Sequence, residues 1–340
     1  MSNTEAAPAE VACGDRPAAA DPDRPAVEVL TPRDVPLGGP RAMRVRRTLP
    51  QRSRSLIGAW CFADHYGPDE VAGPGAMDVA PHPHTGLQTV SWLFAGEIEH
   101  RDSLGTHAMV RPGELNLMTG GHGICHSEVS TVSTVSTAAT KTLHGVQLWV
   151  ALPERHRHTA RAFDHYVPSV NRIEGAEIRV FLGSLAGRTS PIPTFTPLLG
   201  AEVVLGPDAH MSLGVDPGFE HGVLVDSGDV VVAGTRVRAA ELGYVGTGVR
   251  SLPLSNRGTE PARFLLLGGT PFDEEILMWW NFVGRTHEEI AAFREAWQAG
   301  SDQFGSVTGY PGERLPAPAL PAVRIKPRRN PASGQESAEG

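Results

Sequence analysis

PHPHTGLQTVSWLFAGEIEHRDSLGTHAMVRPGELNLMTGGHGICHSE, residues 81–128, is the stretch whose reading decides the fold. Within it, residues 89–94, 97–100, 108–111 and 114–118 are short runs rich in β-branched, aromatic or alternating apolar residues. Each is bounded by Gly, Pro or Asp, which predicts strands joined by tight turns. Residues 145–150 continue the pattern, and helical periodicity is almost absent before residue 270. Two pairs in the stretch carry chemistry. His82 and His84 stand two residues apart, as do His126 and Glu128. In a strand, residues two apart share a face, whereas on a helix they diverge. Pro81 and Pro83 disfavour helix around the first pair, and Gly120, Gly121 and Gly123 mark a tight approach before the second. Two strands of a closed barrel would aim His82, His84, His126 and Glu128 at one interior point. Three neutral imidazoles and a carboxylate form a nitrogen and oxygen site for a divalent first-row ion, with no thiolate.

Working outward, the 340 residues exceed the usual domain size and suggest two domains or one duplicated architecture. Gly 38 and Pro 29 imply many turns and many short strands. The outline of residues 89–118 returns at 221–245 as strand, turn, strand, turn, strand. Aligning Gly96 on Gly228 and Glu114 on Glu241 predicts two consecutive β-barrels or jelly rolls. On this alignment Gly214 and Asp216 match His82 and His84, and Pro253 and Ser255 match His126 and Glu128, so the second barrel lacks the constellation. Thr286-His-Glu-Glu289 reads as a capping box, and Ile290, Phe293 and Trp297 follow at helical spacing, which predicts an amphipathic helix over 287–299.

The expected division is a disordered lead-in over 1–26, a metal-binding barrel over 27–165, a degenerate barrel with the helix over 166–300, and a Pro-rich tail over 301–340. The basic cluster Arg324, Lys326, Arg328 and Arg329 reads first as part of a solvated tail, and otherwise as a contact arm for an acidic partner. The Ser/Thr run 130–142 reads as a flexible surface loop. A net charge of −8 argues against direct nucleic-acid binding. No apolar run reaches the roughly 20 residues of a membrane span, and the start lacks the pattern of a secretory signal. Cys13, Cys61 and Cys125, odd in number and irregular in spacing, read as reduced thiols in a cytoplasmic protein. Cys125 alternates away from the metal position and is expected to be packed core. The charged run Glu97, Glu99, His100, Arg101 and Asp102 is expected to be a solvated strand end.

The residues of the opening stretch resemble the signature segment of the pirin family, the bicupin proteins. GVQLWVALP at 145–153 and GGTPFDEEILMWWNFVGRTHEEI at 268–290 are similar to the same family in the same order. The resemblance implies an all-β fold of two tandem cupin barrels with a short C-terminal helix and disordered tails. It implies one iron ion, Fe(II), held by His82, His84, His126 and Glu128 in the first barrel. It further implies quercetin 2,3-dioxygenase activity, with dioxygen and a flavonol or other small phenolic compound as substrates. A carboxylate can loosen from a metal and accept a substrate proton, so Glu128 is the candidate general base, the alternative being a fixed ligand. The other function that the resemblance implies is a regulator whose iron changes oxidation state and which binds a transcription factor or a metabolic enzyme. Thr85, Leu87 and Gln88 depart from the family's usual pattern, as does His122 between Gly121 and Gly123. His122, Thr119 and Gln88 are candidates, from position alone, to orient the ligand imidazoles.

Overall fold

Strand Ala262–Gly269, ARFLLLGG, is apolar at successive positions, where a half-solvated strand would alternate. Both of its faces are covered. In the computed structural model, Phe264 and Leu266 fill one barrel with Val203, Val223 and Val225. Leu265 and Leu267 turn the other way, into a cluster shared with Trp60, Trp92 and Leu148 of the other barrel. Strand Thr142–Ala151 does the same from the opposite side, with Val146, Leu148 and Val150 in the shared cluster. The two large sheets therefore pack face to face. The structure describes residues 2–3, 25–38, 43–70, 77–131 and 142–330. The expectations for most of the lead-in, for residues 132–141 of the Ser/Thr run and for 331–340 lie outside the described residues.

The chain forms two cupin barrels of corresponding topology. In the first, Arg33–Gly38, Arg44–Leu49, Trp60–Glu70, Thr142–Ala151, Leu87–Ala95, Leu115–Thr119 and Ala162–Tyr166 lie side by side in that order, with Ser2–Asn3 at the outer edge. They face a sheet ordered Asp78–His84, Ile124–Thr131, Glu97–Asp102, His107–Val110. In the second, Asn171–Ile173, Ala176–Leu182, Leu198–Leu205, Ala262–Gly269, Glu220–Ser227, Leu242–Val245 and Glu28–Leu30 face His210–Gly214, Ser251–Asn256, Val230–Val232 and Thr235–Val237. Even a bulge recurs: pairing skips Phe94 in one barrel and Asp226 in the other.

This shared pairing fixes which residues correspond. His82, His84, His126 and Glu128 match Leu213, Val215, Leu252 and Leu254. The alignment from turn punctuation was one residue away, on Gly214, Asp216, Pro253 and Ser255. Because side chains alternate with period two, that single step moves every residue to the other face. Gly214 and Pro253 are exposed, whereas Leu213 and Leu252 are buried.

Two segments cross the expected division at residues 165 and 166. Glu28–Leu30, from the start of the chain, pairs with Leu242–Val245 and so completes the second barrel's large sheet. The helix, observed over His287–Gln298 with Thr286 capping the Glu289 amide, lies against the first barrel instead of its own. Its Ile290 and Trp297 pack with Phe282, Phe304 and Cys125. The Pro-rich segment, expected as a solvated tail, is largely exposed over residues 301–330 but is anchored to the first barrel at several points. Phe304 is buried, Leu315 N–H donates to the Pro81 carbonyl at 2.8 Å, and Tyr310 Oη donates to Asp78 Oδ1 at 2.8 Å. Arg328 and Ile276 exchange two backbone hydrogen bonds. Two of the basic cluster find acidic partners within the chain itself, Arg324 on Glu288 and Arg329 on Glu275.

Candidate metal centre

Asp78–His84 is an edge strand, which is where a sheet tolerates two prolines, since neither offers an N–H to a neighbour. Its pairing sets His126 directly opposite His82 and Ile124 opposite His84. Turns at both ends hold the strands to the barrel mouth. Gly86, at φ +68, lets the chain bend immediately after His84, and a Cβ there would fall 2.2 Å from the Val283 carbonyl oxygen. Gly121, at φ +53, would clash in the same way at 2.0 Å with the Thr159 carbonyl oxygen. Both positions require glycine.

His82, His84 and His126 come together as the spacing predicts, all fully buried, with candidate ligand atoms within 4.8 Å of one another. His84 Nε2 and His126 Nε2 are 3.0 Å apart, and the His82 ring centroid lies 4.4 Å from that of His126. Glu128 is likewise buried and belongs to a second group, with His100 and His126, whose candidate ligand atoms lie within 4.8 Å of one another; His126 is common to both groups. Burial pushes the His82 imidazole down to about 3. Burial, followed by repulsion from neighbouring imidazoles, holds His84 and His126 well below the ordinary histidine value. All three rings are therefore neutral near pH 7 and carry a lone pair, the form a metal requires.

Hydrogen bonds assign the tautomers. His82 Nδ1 lies 2.9 Å from the Ala80 carbonyl oxygen, which only accepts. Nδ1 thus carries the proton, and the buried Nε2, which has no hydrogen-bond partner, presents its lone pair. His100 Nε2 is 3.2 Å from Asp102 Oδ2, so it is the protonated nitrogen of that ring. His100 Nδ1 is then free to accept from His126 Nδ1, 3.4 Å away, leaving His126 Nε2 bare and turned toward His84. Burial works against the charge on Asp102. The hydrogen bond from His100, with the Leu104 and Thr106 amides, nevertheless holds its carboxyl below the usual value. This chain from Asp102 through His100 to His126 orients a candidate ligand from behind.

His100 and Asp102 correct the expectation of a solvated strand end. Along Glu97–Asp102, Ile98, His100 and Asp102 turn inward while Glu97, Glu99 and Arg101 pair at the surface with Arg111, His107 and each other. The period-two alternation was the available signal. Gln88 and Thr119, candidates for the orienting role, bond to each other at 2.9 Å, and the His122 carbonyl accepts from Gln303. Cys125 is buried against the helix and the tail, and burial pushes its thiol up to about 11.

A further acid–histidine group, His65, His144 and Asp226, lies between the barrels. Asp226 Oδ1 sits 2.7 Å from His65 Nε2 and 2.6 Å from His144 Nε2, and Arg263 Nε reaches Oδ2 at 2.8 Å. Burial would raise the Asp226 carboxyl, but its histidine hydrogen bonds and Arg263 hold it far below the ordinary value. Arg46 bonds His65 Nδ1 at 2.6 Å, so His65 Nε2 carries the proton. With its nitrogen protonated and two guanidiniums beside it, this cluster clasps the barrels and does not suit a cation.

Two cupin barrels in tandem, with a histidine-rich centre among the described residues of the first, define a bicupin. The Pirin family model matches residues 42–150, and the Pirin C-terminal cupin domain matches residues 200–305. A Pseudomonas aeruginosa protein named "Putative quercetin 2,3-dioxygenase" is 44% identical over 295 residues, 86% of this chain and 90% of its own length. A pirin-like protein of Caulobacter vibrioides is 31% identical over 281 residues, 81% of this chain and 94% of its own. The crystal structure of quercetin 2,3-dioxygenase from Acinetobacter baumannii superposes with a TM-score of 0.81 at 36% identity, covering 90% of this chain and 98% of that one. The chain belongs to the pirin family.

Proposed function

We propose that the protein is a mononuclear dioxygenase of small phenolic substrates, with His82, His84, His126 and Glu128 holding one divalent ion, Fe(II), and a flavonol of the quercetin type as substrate. The observation that carries this reading is the convergence of three neutral, buried imidazoles, two with tautomers set so that Nε2 is bare, on a site shared with a buried carboxylate. The donor set suits a first-row divalent ion. When bound, the ion would supply Lewis acidity to the substrate's enolic oxygen and a place for dioxygen beside it.

The chain's own residues account for the proton. Glu128 is the general base: it receives the hydroxyl proton of the phenolic substrate. Ser91 Oγ lies 2.9 Å from Gln147 Oε1 and 3.3 Å from Glu128 Oε1, so one hydroxyl proton serves two acceptors. Once protonated, Glu128 donates to Ser91 Oγ, whose own proton turns to Gln147. Trp149, edge-on to His84 at 5.4 Å and stacked on Phe62 at 4.1 Å, walls the site with apolar surface.

The test is oxygen uptake by the iron-loaded protein with quercetin in air. Turnover that vanishes in His126→Ala is the expected result, and absence of uptake at full iron content would leave the second reading. That reading, a redox-dependent regulator binding a transcription factor or metabolic enzyme, draws on one feature. The strand bearing His82 and His84 is bonded directly to the C-terminal segment through Pro81 and Leu315, so a change at the metal has a route to the surface.

A further inference from the structure

We propose that the second half of the chain completes the metal centre of the first barrel: the main-chain carbonyl of Asn281 holds the proton on His84 Nδ1, so that His84 presents a bare Nε2. This deepens the metal-binding reading above and rests on it. The tautomers of His82 and His126 are set from within the first barrel, by the Ala80 carbonyl and by His100. His84 Nδ1 is buried and meets no side chain there. Its Nε2 lies 3.0 Å from the bare Nε2 of His126, so without an acceptor at Nδ1 the His84 proton would sit on Nε2 and bridge the two rings. That tautomer satisfies both facing nitrogens and blocks an ion. An acceptor at Nδ1 tips the choice the other way.

The acceptor arrives on a hairpin. Leu277–Trp279 and Phe282–Gly284 pair about a two-residue turn, Trp280 and Asn281, within the region matched by the C-terminal cupin domain. This hairpin docks on the turn that follows His84. Val283 N–H donates to the Thr85 carbonyl at 3.0 Å, and Phe282 forms a parallel bridge with Thr85. Such a bridge turns the carbonyl of Asn281, one residue before Phe282, toward Thr85 and the adjoining His84 ring, where the Asn281 main chain favours a proton on the imidazole. The approach is looser than a full hydrogen bond, as contacts in working sites often are until the ligand is seated. The turn is strained to make it. Trp280 stands at φ +53 in the first turn position, where glycine is favoured, and a bulky residue holds that conformation only where its surroundings enforce it. Here they do: the ring is buried, edge-on to Phe282 at 5.4 Å, and clustered with Cys125 and Phe304. The anchored indole thus fixes where the next carbonyl points.

The experiment is NMR of the full-length, zinc-loaded protein, isotope-labelled at the histidine ring nitrogens and the asparagine carbonyl carbons. A scalar coupling across the hydrogen bond, between His84 Nδ1 and the Asn281 carbonyl carbon, is expected, with a slowly exchanging Nδ1 proton. Trp280→Ala, which releases the turn, should speed that exchange and weaken zinc binding about tenfold in a competition assay. Trp280→Phe should restore both, and Trp279→Ala, which removes the neighbouring half-buried indole, should change neither. Zinc on His84 Nε2 without the coupling to Asn281 would overturn the proposal, as would a folded Trp280→Ala protein with unchanged exchange and affinity. The coupling is read in the unaltered protein, so it decides the matter even if a variant fails to fold. A His84 Nε2 signal that zinc does not shift would mean that His84 is no ligand; the ligand set then fails and this proposal with it, and that signal tells the two failures apart.

Discussion

The two barrels share a strand order and a bulge, yet they treat their interiors in opposite ways. The first places Ser91, Gln147, Asp64 and four ionisable donors inside; the second places Val223, Val225, Phe264 and Leu266 at comparable depth. Each arrangement is stable for its own reason. The second gains from apolar burial directly. The first carries buried polar groups that must find partners or lose stability, and it solves this with chains such as Asp102–His100–His126 and with bare nitrogens directed at one point. A duplicated fold can thus separate its tasks, with stability concentrated in one copy and chemistry in the other.

The sharpest way to break this contrast is to remove donors. His82→Ala with Glu128→Ala should lower metal content from about one ion per chain to none by elemental analysis, while Leu213→Ala leaves it unchanged. Full metal retention in the double variant would refute the ligand set.

Matched positions should respond with opposite sign. Leu254→Glu puts an unpaired carboxylate into an apolar core and should cost about 3–5 kcal/mol in chemical denaturation. Glu128→Leu at the corresponding site of the metal-free protein should be neutral or stabilising, because it removes a buried charge. Equal losses would mean that the interiors are not differentiated as described.

Asp102→Asn should weaken metal binding about tenfold while leaving the fold intact by circular dichroism, since it frees His100 to change tautomer and so releases His126. Unchanged affinity in a metal-competition assay would show that His126 is oriented by its ring packing alone.

The smallest effect concerns pH. Burial pushes the His221 imidazole down to about 4, with Asp216 opposing. Between the unfolded value near 6.5 and that folded value, the unfolded chain binds a proton that the folded chain does not. Stability should therefore be fully present above pH 6.5 and fall by at most about 1.4 kcal/mol per pH unit as pH drops toward 4. His221→Leu should remove that share of the slope in thermal melts. An unaltered slope would mean that His221 is already protonated or already partnered.

Much of this was legible in the sequence. The pairs at 82 and 84 and at 126 and 128 needed only an extended chain to converge, and Pro81 and Pro83 supplied it. The helix was readable from Thr286 and its apolar spacing. The facing of the second barrel was not, because a one-residue difference in loop length flips a strand while leaving its turn punctuation intact. His100 and Asp102 were hidden by their neighbours: three charged residues on the outer face made the whole strand read as solvated. The anchoring of the Pro-rich segment was not legible, because composition reports how a segment behaves alone, whereas its placement rests on backbone bonds to Pro81 and Ile276.

The crossing of segments between barrels bears on synthesis. Glu28–Leu30 leaves the ribosome long before Leu242–Val245, the strand it must pair with, and the first barrel's edge must wait for Leu315 to be covered. Domains ordinarily fold in turn as they emerge. Here the early barrel would remain uncapped, with its proline-bearing edge open, until the second barrel and Leu315 have been made, so cutting the chain between the barrels should give two incomplete halves.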